Sequence, residues 1–175
     1  MDINGKRFLV IGGAGLIGSH VCESLLKEDV KEVIVFDNFV RGSKENLNLA
    51  SKDKRFKIFE MGGDIQQPDL LDIALENIDG VFHLSALWLL QCHELPKYAF
   101  EVNVKGTFNV LEACREANIK KLVYSSSASV YGDALSEPIT ESHPFNNKNF
   151  YGATKICGES MLVAYHHRYN LNFVG

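Results

Sequence analysis

Long apolar runs are missing from this chain. The longest, Val81 to Leu90, carries His83 and Ser85 and stops far short of the roughly 20 residues a spanning helix needs. The first residues, MDINGK, pass straight into a strand-like run without the apolar stretch of a secretory leader. Basic excess is missing too. Eighteen Lys and Arg face 22 Asp and Glu, a formal net charge of -4, which argues against a nucleic-acid partner. Cysteine is scarce, and Cys22, Cys92, Cys114 and Cys157 form no CxxC pair. Each falls in an apparent helix or apolar segment, so they read as buried free thiols of a cytoplasmic protein and not as a disulfide framework. Cys92-His93 and His166-His167 lack further partners at ligand spacing; they read as solvated helix positions, and no metal is expected.

What is present is ordinary for a globular core: 175 residues, 46% of them hydrophobic, enough for one domain. Phe8-Ile11, Val33-Phe36, Val81-Leu84 and Leu122-Tyr124 read as strands buried on both faces, and the more mixed Phe56-Phe59 as an edge strand. Helical spacing joins Ile17, Val21 and Leu25. Pro68 opens a second helix with a stripe of Leu71, Leu75 and Ile78. A longer helix is expected from about Glu94 to Asn118, with Val104, Phe108 and Leu111 on one face, and another from about Tyr151 to Tyr169. The alternation predicts an α/β fold, a doubly wound parallel sheet with helices on both faces. Asp133 to Asn149 is the longest irregular stretch. Leu171 to Gly175 reads as a strand just beginning, so residues 1–175 are expected to be the N-terminal domain of a longer protein.

Two regions carry chemistry. Gly12, Gly15 and Gly18 follow the first strand at GxxGxxG spacing, with Gly13 beside them. Such a turn lets backbone approach a pyrophosphate whose charge the next helix N-terminus stabilises, and Leu16 and Ile17 begin that helix. Asp37 stands 19 residues after Gly18, at the end of the second strand, followed by Asn38. An acid there accepts hydrogen bonds from both ribose hydroxyls of NAD and repels the extra phosphate of NADP. An ordinary turn is the alternative for Asp37-Asn38 and for Asp64-Ile65, the pair suited to the adenine edge. Arg41 could accommodate a 2′-phosphate. The second region is Ser125-Ser126-Ser127-Ala128-Ser129-Val130-Tyr131-Gly132, and later Tyr151-Gly152-Ala153-Thr154-Lys155. Tyr151 and Lys155 share a helix face, where an ammonium favours a phenolate and so lowers the tyrosine pKa.

With these motifs in this order, and with HLSA (His83 to Ala86) and NVKGT (Asn103 to Thr107) between them, the chain resembles the extended short-chain dehydrogenase/reductase family. The resemblance runs from Arg7 to Gly175 and lies with the nucleotide-sugar epimerases of UDP-glucose 4-epimerase type. It implies NAD as cofactor and a nucleotide sugar, of UDP type, as substrate. By that likeness Leu84, Ser85, Ala86 and Ser125 line the nicotinamide side, and Asn103 supports the catalytic helix beside the cofactor. Ser127 holds the reacting sugar oxygen, Tyr151 is the base, and Lys155 is its partner. Related 4,6-dehydratases carry Asp and Glu after that serine, and decarboxylases a Glu. Ala128 and Ser129 supply no carboxyl here, so C4 epimerisation through a 4-keto sugar is favoured over elimination.

The chain departs from the family at Ser85, where Ala is common, and from Trp88 to His93, where polar and small residues are usual. Trp88 could stack on a substrate but reads first as a core or interface aromatic. The two long helices resemble those that pair family members, so a homodimer is expected. A keto-sugar reductase using NADP and a non-catalytic NAD-binding scaffold are the alternatives.

Overall fold

Side-chain alternation along the first strand, β1 (Arg7–Ile11), sets the layers of the molecule. Leu9 and Ile11 join one apolar cluster, Phe8 and Val10 another, and none of the four is more than 3% exposed. The computed structural model, which describes residues 2–175, puts β1 inside a six-stranded parallel sheet. The other strands are β2 (Glu32–Phe36), β3 (Phe56–Ile58), β4 (Gly80–His83), β5 (Lys121–Tyr124) and β6 (Phe173–Val174). They run in the order β3-β2-β1-β4-β5-β6, so β3 is the edge strand its mixed sequence predicts. All pairings are parallel, and Leu9 stands level with Ile34 on one side and Val81 on the other. Every strand therefore delivers its following loop to the same end of the sheet.

The two faces are covered unequally. Helix α1 (Leu16–Leu26) packs Cys22 and Leu25 on the Phe8 and Val10 face. The opposite face takes α2 (Pro68–Ala74), α3 (Leu89–Glu94), α4 (Pro96–Ala99), α5 (Thr107–Glu116) and α6 (Phe150–Tyr169). The connection from β2 to β3 holds only short 3₁₀ turns, so no second long helix backs α1. Phe82 of β4 and Val123 of β5 consequently remain half-buried, where the sequence predicts strands buried on both faces.

The helix expected from Glu94 to Asn118 is broken. Pro96 lacks a donor and restricts the residue before it, and Leu95 accordingly leaves helical geometry at φ -128 and ψ 60. Beyond α4 the chain widens into a π-helical segment, Phe100–Gly106, before α5. That widening turns the expected face. Leu111 is fully buried, Val104 is half-buried and Phe108 is 45% exposed, while Val102 and Asn103 point inward. Three of the four cysteines are buried, Cys92 among them, and Cys157 is only half-buried. No helix among the described residues is long and apolar enough to cross a membrane.

Leu111→Ala is expected to lower unfolding free energy by about 2–5 kcal/mol in urea denaturation, as an uncollapsed core cavity does. Phe108→Ala should change it by less than about 1 kcal/mol. Equal losses would mean that the helix presents the continuous face its spacing suggests.

Candidate active site

The loops after β1, β2, β3, β4 and β5, with the start of α6, enclose a cleft of about 540 Å³. From the end of β2 to the end of β5 it crosses three inter-strand spacings of about 4.8 Å, roughly 14 Å in all. Its floor is the turn from β1 into α1. Gly12 has φ +81, and a Cβ on Gly18 would lie 2.2 Å from the Gly12 carbonyl oxygen, so the turn closes only with glycine there. No side chain caps α1, whose first N–H groups are left for an acceptor in the cleft, beside Leu16 and Ile17 at 76% and 62% exposure. A Cβ on Gly15 would meet nothing closer than 3.4 Å, which leaves its side of the turn open. This cradle fits a dinucleotide diphosphate.

Asp37, at the β2 end, accepts from the Ala14 N–H through Oδ2 (2.9 Å) and from the Phe39 N–H through Oδ1 (2.8 Å). Each oxygen keeps a lone pair for another donor. Asp64 accepts from the Gln66 N–H at 2.9 Å, and the Ile65 carbonyl accepts from Asn109 Nδ2 at 2.9 Å. On the wall between them and β5, the Ser85 hydroxyl oxygen is sealed from solvent without a partner, a donor available to a ligand oxygen.

The other end is built by α6. Asn149 caps it, accepting from the Gly152 N–H at 2.8 Å. A Cβ on Gly152 would stand 2.5 Å from the Ser129 carbonyl oxygen, so glycine lets the helix start press on the 3₁₀ turn that follows Ser127. The Ser127 oxygen accepts from the Ser129 N–H at 3.1 Å. Lys155 donates to the Ser125 carbonyl at 2.7 Å and lies 4.9 Å from the Tyr124 ring centre and 5.8 Å from that of Tyr151. Burial lowers its ammonium pKa to about 8. Burial also raises the Tyr151 phenol above its ordinary value, more than the Ser127 hydroxyl lowers it. The expectation that Lys155 holds Tyr151 below its ordinary value is therefore not met: burial of the phenol outweighs it, with the ammonium bonded to the Ser125 carbonyl. His83, fully buried against Thr107 Oγ1 at 3.0 Å, is held neutral by burial, its pKa near 3.

Gly12, Gly15, Leu16, Ile17, Gly18, Asp37, Asn38, Asp64, Ile65, Leu84, Ser85, Ala86, Ser125, Tyr151 and Lys155, all singled out in the sequence, line the cleft. Two residues do not. Ser127 is half-buried and lies outside the cleft lining. Asn103 is 3% exposed and supports the cleft from beneath instead of lining it. Its Oδ1 accepts from the Leu87 N–H at 2.7 Å, and its Nδ2 lies 3.0 Å from the Leu87 carbonyl and 3.2 Å from Thr154 Oγ1. Trp88 is no core aromatic. It is 42% exposed and lines the cleft with Arg41. Cys92 is buried, not solvated, and turns its thiol to the Leu87 carbonyl, whereas His93 is exposed. Residues missed from sequence include Asn46, Gly63, Tyr98 and Val102. Asn46, in the loop after β2, bonds the Ala14 carbonyl at 2.8 Å; its distance from the glycine turn in sequence hid it.

Residues 8–175 match the NAD dependent epimerase/dehydratase family. The chain belongs to it. A putative UDP-glucose 4-epimerase of Methanocaldococcus jannaschii is 34% identical over 168 residues, covering 94% of this chain and 52% of the relative. The Thermus thermophilus UDP-glucose 4-epimerase, solved in complex with NAD, superposes with a TM-score of 0.86 at 35% identity, over 95% of this chain and 53% of that one. A dTDP-glucose 4,6-dehydratase of Streptomyces venezuelae, with NAD bound, reaches 0.89 at 33% identity, over 95% and 53%. The chain thus spans about half the length of the curated relatives it matches. Within the family, overall likeness does not separate epimerase from dehydratase, and the choice falls to individual side chains.

The buried lysine makes stability depend on pH in a definite sense. Unfolded, Lys155 keeps its proton up to its ordinary 10.5; folded, it releases it near 8. The unfolded state binds more protons between those values, so stability rises with pH across that window. Relative to Lys155→Met, wild type should gain about 3 kcal/mol from pH 7.5 to 10.5 in urea denaturation. Parallel curves for the two proteins would show the ammonium to be solvated.

Proposed function

We propose that the protein carrying this chain epimerises a nucleotide sugar at C4, of the UDP-glucose and UDP-galactose type, with NAD held in the cleft. The observation that carries the reading is the placing of Tyr151 and Lys155 at one end of a cleft whose other end is Asp37, with Ala128 and Ser129 after Ser127, where elimination would need carboxyls. The N-terminus of α1 takes the diphosphate, Asp37 the adenosine ribose hydroxyls, and Asp64 with Ile65 the adenine edge. Bound NAD supplies the hydride acceptor and donor.

Tyr151, as phenolate, takes the proton of the sugar C4 hydroxyl while the Ser127 hydroxyl donates to the same oxygen. Lys155, anchored on the Ser125 carbonyl, keeps positive charge on the same side of α6 as the phenolate. Burial raises the phenol above its ordinary value, so a positive charge beside it favours the phenolate. The resulting keto sugar then presents its other face, and Tyr151 returns the proton to the oxygen. No step needs a carboxylic acid, in keeping with the residues after Ser127. The exposed Phe108 of α5 and Val163 of α6 suit a homodimer through these helices, and the free thiols suit a cytoplasmic protein.

Tyr151→Phe is expected to lower turnover by about 10²–10⁴-fold while NAD affinity by calorimetry stays unchanged. In wild type, UDP-galactose should form from UDP-glucose with no net reduced nicotinamide; its steady accumulation or consumption would point to the keto-sugar reductase instead. Calorimetric titration should also favour NAD over NADP by at least about tenfold through Asp37, and equal affinities would remove that acid from the ribose.

A further inference from the structure

The sole tryptophan of the chain stands in an unusual setting for a large aromatic side chain. Trp88 immediately precedes α3, is 42% exposed, and has the Arg41 guanidinium 4.8 Å above its ring centre. Arg41 follows β2 and Trp88 follows β4, and these strands flank β1 on either side. The stacked pair therefore crosses the end of β1, from which the glycine turn departs. Both side chains line the same cleft as Gly15, Leu16 and Ile17. Among the described residues, Arg41 meets no carboxylate and donates no side-chain hydrogen bond, so its charge has no protein counter-ion.

Both ends of the bridge are anchored to the cradle. The loop carrying Arg41 is fixed by Asp37 Oδ1 on the Phe39 N–H, with Phe39 held in the left-handed region at φ +58. Just beyond Arg41, the Ser43 N–H (3.1 Å) and Asn46 Nδ2 (2.8 Å) both reach the Ala14 carbonyl inside the glycine turn. On the other side, Asn103 grips both backbone groups of Leu87, the residue before Trp88. An exposed stack of guanidinium on indole stabilises little by itself. Here it directs a rigidly rooted, unpaired cation over the N-terminus of α1, where a diphosphate would carry the opposite charge.

We propose that Arg41 and Trp88 form a clasp over the diphosphate of the bound dinucleotide, Arg41 neutralising it and Trp88 holding the guanidinium in place. The proposal rests on the reading of the cleft as an NAD site. It assigns Arg41 to the diphosphate and not to a 2′-phosphate, because the guanidinium is drawn across β1 toward β4, away from the β2 end where Asp37 stands. The indole also serves as the only tryptophan reporter in the chain.

The test combines calorimetry with Trp88 emission, using NAD, NADP and ADP-ribose, which keeps the diphosphate but lacks nicotinamide and its quenching. ADP-ribose should change the emission saturably, with the same midpoint as the heat. Arg41→Ala should weaken NAD and ADP-ribose alike by about tenfold, and Arg41→Lys by less. Trp88→Ala should weaken both by about three- to fivefold, with Trp88→Phe between it and wild type. Both positions are exposed, so thermal midpoints should hold. If NAD and ADP-ribose bind while emission stays flat and both alanine variants remain within about twofold of wild type, the clasp is wrong and the NAD reading stands. If Arg41→Ala weakens NADP alone, Arg41 reads a 2′-phosphate and the clasp is again wrong. If NAD gives no heat, the underlying reading falls and the clasp with it.

Discussion

One buried carboxamide joins the two halves of the cleft. Asn103 uses its oxygen on the Leu87 N–H and divides its amide hydrogens among the Leu87 carbonyl, the Cys92 sulfur and Thr154 Oγ1. Thr154 in turn donates to the Tyr151 carbonyl at 2.7 Å. A continuous chain of hydrogen bonds thus runs from the loop after β4 to the residue proposed as base. An unpaired amide at 3% exposure would be costly, so the loop and α6 are locked at one distance. The π-helical turn at Phe100–Gly106 is the local device that brings Asn103 there, since a π-turn rotates the following residues relative to an unbroken α-helix.

The catalytic end is electrostatically tense for the same reason that it is rigid. Packing α6 against β5 buries Lys155 and half-buries Tyr151, and burial disfavours both charged forms. The ammonium is held by the Ser125 carbonyl and by two aromatic rings, none of which is a counter-charge. An anionic phenolate nearby would relieve the lysine, and the lysine would relieve the phenolate. Among the described residues, no carboxylate forms an ion pair with Lys155.

The covering of the sheet is unequal because its connections are. Crossovers after β3, β4 and β5 pack on one face, and only α1 with the 3₁₀ turns after β2 packs on the other. β1 and β2, under helices on both sides, are nearly sealed, while β4 and β5 keep half-buried residues on the sparsely covered face. The rigid part of the molecule is thus the part that holds the glycine turn and Asp37.

Local rules made much of this legible in the sequence. The apolar runs marked the strands, the glycine spacing marked the cradle, and the i,i+4 spacing of Tyr151 and Lys155 put both on one side of α6, because each depends on residues near one another in the chain. Pro96 was legible as a residue type, yet its break and the π-turn beyond it depend on what Asn103 finds to bond across the fold. Asn46 on the Ala14 carbonyl, Arg41 over Trp88, and Lys155 on the Ser125 carbonyl join residues from 30 to 47 positions apart. The sequence by itself determined the doubly wound sheet and the residue types facing the cleft, through periodicity and turn chemistry. Only the tertiary structure decided which way each polar group turned, because burial and hydrogen-bond satisfaction are settled between segments and not along them.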